Sequence, residues 1–230
     1  MTRHEEPRPG IAAQVSSPDQ IVAEILRGLY AGRYVPGQRL IEADLTREYK
    51  VSRGSIREAL KRLAAEGVVS LNLHRGAYIR SLSRSEATEV LALIEVLTGL
   101  AARLAAERIA RDGNRARIQK AMDDLASAEA GGDFFLFIRS RNRFYRTLVQ
   151  VGGNRELSRV LPTMHVHLVR IQFRPYGAAP GEARLDDYRR ITEAVLAGDP
   201  VQAESATRGH VQNIRDRILR LPDEAFAPEG

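Results

Sequence analysis

Apolar residues recur along this chain at a period near 3.6, broken once by short β-rich runs, and that break divides it. Ile21, Ile25, Leu26 and Leu29 share one face and predict a first helix, opened at Ser17 or Pro18 and stopped by Gly32. YVPGQRL holds a Pro-Gly turn, and IEADLTREYK predicts a short second helix. Ser52 then caps a third helix that buries Ile56, Leu60 and Leu63 and ends at Gly67. Two short helices, a tight turn and a longer helix have the spacing of a helix-turn-helix. VVSLNL and AYIRSL follow as β-rich runs around His74, Arg75 and Gly76, which predicts a hairpin and so a winged helix-turn-helix over residues 18–82. Residues 1–17 read as a disordered lead-in.

From residue 84 the helical period returns in six segments, at 84–111, 114–130, 133–151, 155–173, 181–197 and 200–221. Gly113, Gly131, Gly132, Gly152, Gly153, Pro175, Pro180 and the Gly198-Asp199-Pro200 run punctuate them. An all-α antiparallel helical bundle over residues 83–222 is expected, with 223–230 as a disordered tail. The fold class is therefore mainly α, a winged helix-turn-helix followed by a helical bundle.

Charge turns this architecture toward a partner. The chain carries a net charge of +6, and residues 1–82 hold 13 basic against 9 acidic side chains while 83–230 hold 22 against 20. Across residues 50–62, Lys50, Arg53, Arg57, Lys61 and Arg62 meet only Glu58. Arg53, Arg57 and Lys61 fall at i, i+4 and i+8, on a flank away from the buried stripe. A basic helix alone is ordinarily a solvated face, so nucleic-acid binding rests on its motif context.

Composition mostly excludes. With no cysteine there is no disulfide, thiolate metal site or thiol nucleophile. No apolar run nears the roughly 18 residues of a membrane span, and the N-terminus lacks a signal-peptide core, so a cytoplasmic protein is expected. No Gly-rich phosphate loop, Ser/His/Asp set or carboxylate cluster with a matching base occurs, and no enzyme is expected.

Over PGQRLIEADLTREYKVSRGSIREALKRLAAEGVVSLNLHRGAYI the chain resembles the GntR family of bacterial transcription regulators. The PG-x-RL turn, the SR-x-x-x-REAL helix start, the RL-x-x-EG end and the RGA wing come together in order. FYRTLVQVGGNREL and EAVLAGDPVQAESATRGH are similar to segments of the FCD sensor domain of the FadR-like subfamily. The resemblance implies a repressor that grips double-stranded operator DNA as a homodimer and answers to a small-molecule effector, with no membrane partner.

It also implies roles. Arg53 and Arg57 correspond to the family's DNA-contacting arginines, able to donate two hydrogen bonds to guanine, with a phosphate contact left open for Arg57. Ser52 and Ser55 can reach base or backbone; Arg47 and Lys50 are assigned to phosphate; His74, Arg75 and Gly76 form the wing tip. Gly54 stands where the family often has a threonine and offers no side-chain contact, and Ala43 stands where some relatives carry a base-reading arginine. Many FCD domains hold a divalent metal with an Asp and three His. Here those positions carry Arg141, Tyr145, Tyr188 and His210, so no metal cofactor is expected, since a guanidinium repels a cation. Periodicity aims all four inward, and Arg141 is expected to anchor an organic-acid effector, with Tyr145, Tyr188 and His210 donating hydrogen bonds. Their competitors are a satisfied core network, a metal-dependent regulator and an effector-independent DNA-binding protein. Ile94 and Thr98 stand where the family often has an Arg and a Glu, making the pocket more apolar. His165 and His167 point about 200° apart on a helix and cannot share a metal. Arg139, Arg143 and Arg146 read as a solvated face.

Overall fold

Ser17 opens helix α1 (Pro18–Tyr30) with a reciprocal cap: its hydroxyl accepts from the Gln20 N–H, and the Gln20 side chain accepts from the Ser17 N–H. The computed structural model describes residues 17–72, 76–111, 113–161, 169, 172–176 and 185–229. The lead-in 1–16, the wing residues His74 and Arg75, and both His165 and His167 lie outside them.

Helix α1 buries Ile21, Ile25 and Leu29 against α3 (Arg53–Ala65), whose inner face is Ile56, Ala59, Leu60 and Leu63. Between them, α2 (Glu42–Tyr49) ends where Lys50 takes a left-handed φ of 54° and the chain turns into α3. Strands β1 (Arg39–Leu40), β2 (Val69–Asn72) and β3 (Gly76–Ile79) form an antiparallel sheet ordered β1-β3-β2. β2 and β3 are the predicted hairpin. β1 lies inside the segment read as a turn, because two residues are too short to show a period of two. Arg39 opposes Tyr78 and Leu40 opposes Ala77.

The bundle comprises α4 (Arg84–Glu107), α5 (Asn114–Ala130), α6 (Phe134–Gly152), α7 (Arg155–Val160), α8 (Leu185–Ala197) and α9 (Pro200–Leu219). α4 packs along α9, and α6 rests on α4 and α5. Most of the predicted helix 155–173 beyond α7 falls outside the described residues.

Head and bundle share one apolar core. Tyr30 at the end of α1 meets Phe134 and Phe135 at the start of α6, with ring centroids 6.0 and 6.1 Å apart. A second cluster, with Leu82, Leu91, Phe173 and Ile218, sits under the link between the domains.

The tail over 223–229 corrects the expectation of disorder. Phe226 stacks at 5.2 Å on Phe173, beneath the Arg84 guanidinium at 4.2 Å, and the Ala227 N–H donates to the Leu82 carbonyl. The Glu229 carboxylate accepts from the Ser85 N–H at 3.1 Å. One aromatic in a short polar run carries no periodicity, so only the surface that receives it reveals its place.

Candidate functional site

The recognition helix presents its basic flank on the surface of the head. Ser52 caps it by accepting the Ser55 N–H at 3.1 Å, and the two hydroxyls lie 3.0 Å apart. Both serines therefore already serve the helix start. Arg53 is exposed and has no hydrogen bond or ion pair among the described residues. Arg57 is exposed but bound, its Nε donating to Glu42 Oε2 on α2 at 2.9 Å. Arg47 pairs with Asp44 one turn back, and Lys50 is exposed at the αL turn. Gly76 begins β3 with φ at +87°, a conformation that L side chains avoid, so it contributes backbone to the wing. Arg39, which sequence reasoning did not single out, lies beside it over the Tyr78 ring at 6.0 Å.

In the bundle, Arg141 and Tyr145 come from α6, Tyr188 from α8 and His210 from α9, and the fold gathers all four. Arg141 is only 5% exposed, so it is not a surface residue. Its Nε donates to the Tyr188 hydroxyl at 2.6 Å, and its guanidinium lies 4.7 Å above the Tyr145 ring. The Tyr188 ring lies 4.9 Å from the His210 ring, tilted by 59°. His210 Nδ1 donates to Asp187 Oδ2 at 3.0 Å, while Nε2 has no partner among the described residues. Burial pulls the imidazole below its usual range despite this bond. Asp187 is held below the usual carboxylate range by the His210 bond first and also by Arg190. The pair is thus a carboxylate and a neutral imidazole. Burial raises both tyrosine hydroxyls, which remain protonated.

Arg141 faces a cavity of about 460 Å³. Ile94, Val149, Leu157 and Leu161 make its apolar wall, and Tyr145, whose buried hydroxyl has no partner among the described residues, lies on it too. The Thr98 hydroxyl donates back to the Ile94 carbonyl at 2.6 Å, so this stretch of α4 offers the cavity little polarity. Tyr188 and His210 are not among the residues that border it; the Tyr188 hydroxyl holds Arg141 from behind, and His210 packs against Tyr188. Glu66, the C-cap of α3, also borders this cavity, so it lies between the bundle and the head. Glu66 is the acidic residue of the RL-x-x-EG helix end, and that motif carries no sign of a contact with the bundle. Arg146, expected on a solvated face, is exposed yet borders the cavity, while Arg139 and Arg143 are exposed.

The residues do not suit a metal. A cationic guanidinium and two protonated phenols occupy three of the four positions, and His210 has its Nδ1 committed to Asp187.

The gntR family model of bacterial regulatory proteins matches residues 18–79, and the FCD domain model matches residues 89–213. A relative from Paenarthrobacter nicotinovorans named "Probable D-xylose utilization operon transcriptional repressor" is 30% identical over 205 residues, 89% of this chain and 87% of its own. The HTH-type transcriptional regulator YdhC of Bacillus subtilis is 25% identical over 208 residues, 89% of this chain and 92% of its own. Among solved structures, E. coli McbR/YncC superposes with a TM-score of 0.70 at 20% identity, over 88% of this chain and 96% of its own. A GntR transcriptional regulator from Rhodococcus does so at 0.68 and 20% identity, over 88% and 97%. With its winged head and helical bundle, the chain belongs to the GntR family and is a DNA-binding transcriptional regulator with an FCD domain.

Proposed function

We propose that this regulator is a cytoplasmic repressor whose grip on operator DNA is set by a small organic acid bound at Arg141. One observation carries this reading: a buried guanidinium, with phenols but no carboxylate as partners among the described residues, faces a cavity with an apolar wall. A buried cation without a counter-charge is costly, and an arriving carboxylate removes that cost while gaining a charge-assisted hydrogen bond. Tyr145 adds a second donor, and Tyr188, packed against His210, keeps Arg141 in place. Repression is supported by the name of the Paenarthrobacter relative. Titration calorimetry with a panel of organic acids tests the anchor. Wild type should bind at least one, and Arg141→Ala should lose it; equal affinity in the two proteins overturns the role.

The regulator works without a metal at these four positions, because their donors are wrong for one. Elemental analysis of the purified chain should find no stoichiometric zinc, nickel or manganese; a stoichiometric ion would favour a metal-dependent regulator instead. On the DNA side, the N-terminal end of α3 enters the major groove, Arg53 reads base edges, and Arg57, Arg47, Lys50 and the wing hold the backbone. One winged helix neutralises few phosphates, so a twofold homodimer on a near-palindromic operator is proposed. Leu93 and Val96, about half exposed on α4, offer a second copy an apolar strip. Light scattering should give twice the mass of one chain.

A further inference from the structure

We infer that the ligand is dipolar, an organic acid that sets its carboxylate on Arg141 and a protonated amine on Glu66 at the foot of the recognition helix. The inference rests on the anion-binding role of Arg141 and goes beyond it by naming the other end of the molecule. Three charged side chains border the cavity, Arg141, Arg146 and Glu66; Arg146 is exposed, whereas Arg141 is buried and Glu66 half-buried, and neither of these two has a counter-charge among the described residues. Among the described residues Arg141 meets the phenols of Tyr188 and Tyr145 and no carboxylate. Glu66 is half-buried, and its carboxylate has no hydrogen bond or ion pair among the described residues. Burial raises its carboxyl, with no neighbouring cation offsetting the effect. The two do not pair with each other, although both act electrostatically on the buried hydroxyl of Tyr30 at the junction of head and bundle.

A ligand able to satisfy both groups needs an anion, an apolar segment and a cation. Ile94, Val149, Leu157 and Leu161 suit the middle, and the unpartnered Tyr145 hydroxyl can share the carboxylate. A simple alkanoate answers Arg141 and leaves Glu66 without a partner. A dicarboxylate likewise leaves Glu66 without a partner, its second carboxylate finding only the exposed Arg146. Because Glu66 caps α3, the amine also ties the ligand to the helix that reads DNA, so occupancy of the bundle acts directly on the head.

Calorimetry on the full chain tests this with 4-aminobutanoate, 6-aminohexanoate and 8-aminooctanoate, each beside the alkanoate and dicarboxylate of equal length. At least one amino acid should bind about tenfold or more tightly than both its alkanoate and its dicarboxylate. Glu66→Gln should erase the preference for the amine through loss of amino-acid affinity; Arg141→Ala should abolish binding of amino acid and alkanoate alike. Should Glu66→Gln fail to fold, judged by its thermal transition, the wild-type ranking decides alone. Alkanoates binding as tightly as the amino acids would overturn this inference while sparing the Arg141 anchor. Failure of every carboxylate to bind overturns both.

Discussion

Arg53 and Arg57 sit one turn apart on the same helix, yet they differ in what each must give up to reach DNA. Arg53 has no partner to leave among the described residues, whereas Arg57 must break its bond to Glu42. Arg53→Ala should weaken operator binding by about an order of magnitude or more in fluorescence anisotropy at fixed salt, and Arg57→Ala by less. Undiminished binding by Arg53→Ala would remove it from the reading surface. His210 gives a pH prediction at the same scale. Its folded pKa lies below the ordinary value of about 6.5, so between the two the unfolded chain binds more protons than the folded one. Stability is then full above about pH 6.5 and declines as pH falls below it. Urea midpoints should drop more between pH 7.5 and 5.5 for wild type than for His210→Gln. The motif exposed Arg53 and Arg57 to view, and the inward period exposed Arg141. Glu42 and Glu66 stayed hidden, because each gains its meaning from a residue far away in sequence.

At the scale of elements, the start of α3 and the C-terminal tail carry contacts that can be weighed. Ser52→Ala removes an N-cap and should lower stability by about 1 kcal/mol in urea titration, with a frayed recognition helix. The tail acts as a strap on the link between domains. Gln172 accepts the Leu82 N–H at 2.6 Å and donates to the carbonyls of Leu82 and Ala225 at 2.8 and 2.9 Å, so one amide binds link and tail together. Phe226→Ala, which loses the Phe173 stack and the Arg84 contact, should cost about 1–2 kcal/mol in the same titration. The helices were legible because their periods run over several turns and end at glycines. The β1 strand and the tail were not, since each is shorter than the pattern that would announce it.

Across the whole molecule, the continuity of the core through Tyr30, Phe134 and Phe135 makes the relation between head and bundle a matter of packing rather than of a loose tether. A dimer whose two heads contact about 6–10 phosphates in all should lose about three to five orders of magnitude in operator affinity between 50 and 200 mM salt. A much flatter dependence would argue against the two-headed grip. The sequence by itself determined the order of domains, the basic flank of α3 with Arg53 and Arg57, and the inward face of Arg141, Tyr145, Tyr188 and His210. Those follow from local periodicity, caps and motif spacing, which are written along a single helix. Only the tertiary structure decided that Arg141 meets Tyr188 rather than a carboxylate, that the tail clasps Leu82, and that Glu66 of the head borders the sensor cavity. Each of these depends on which faces of distant elements come together, and that is set by the packing of the shared core.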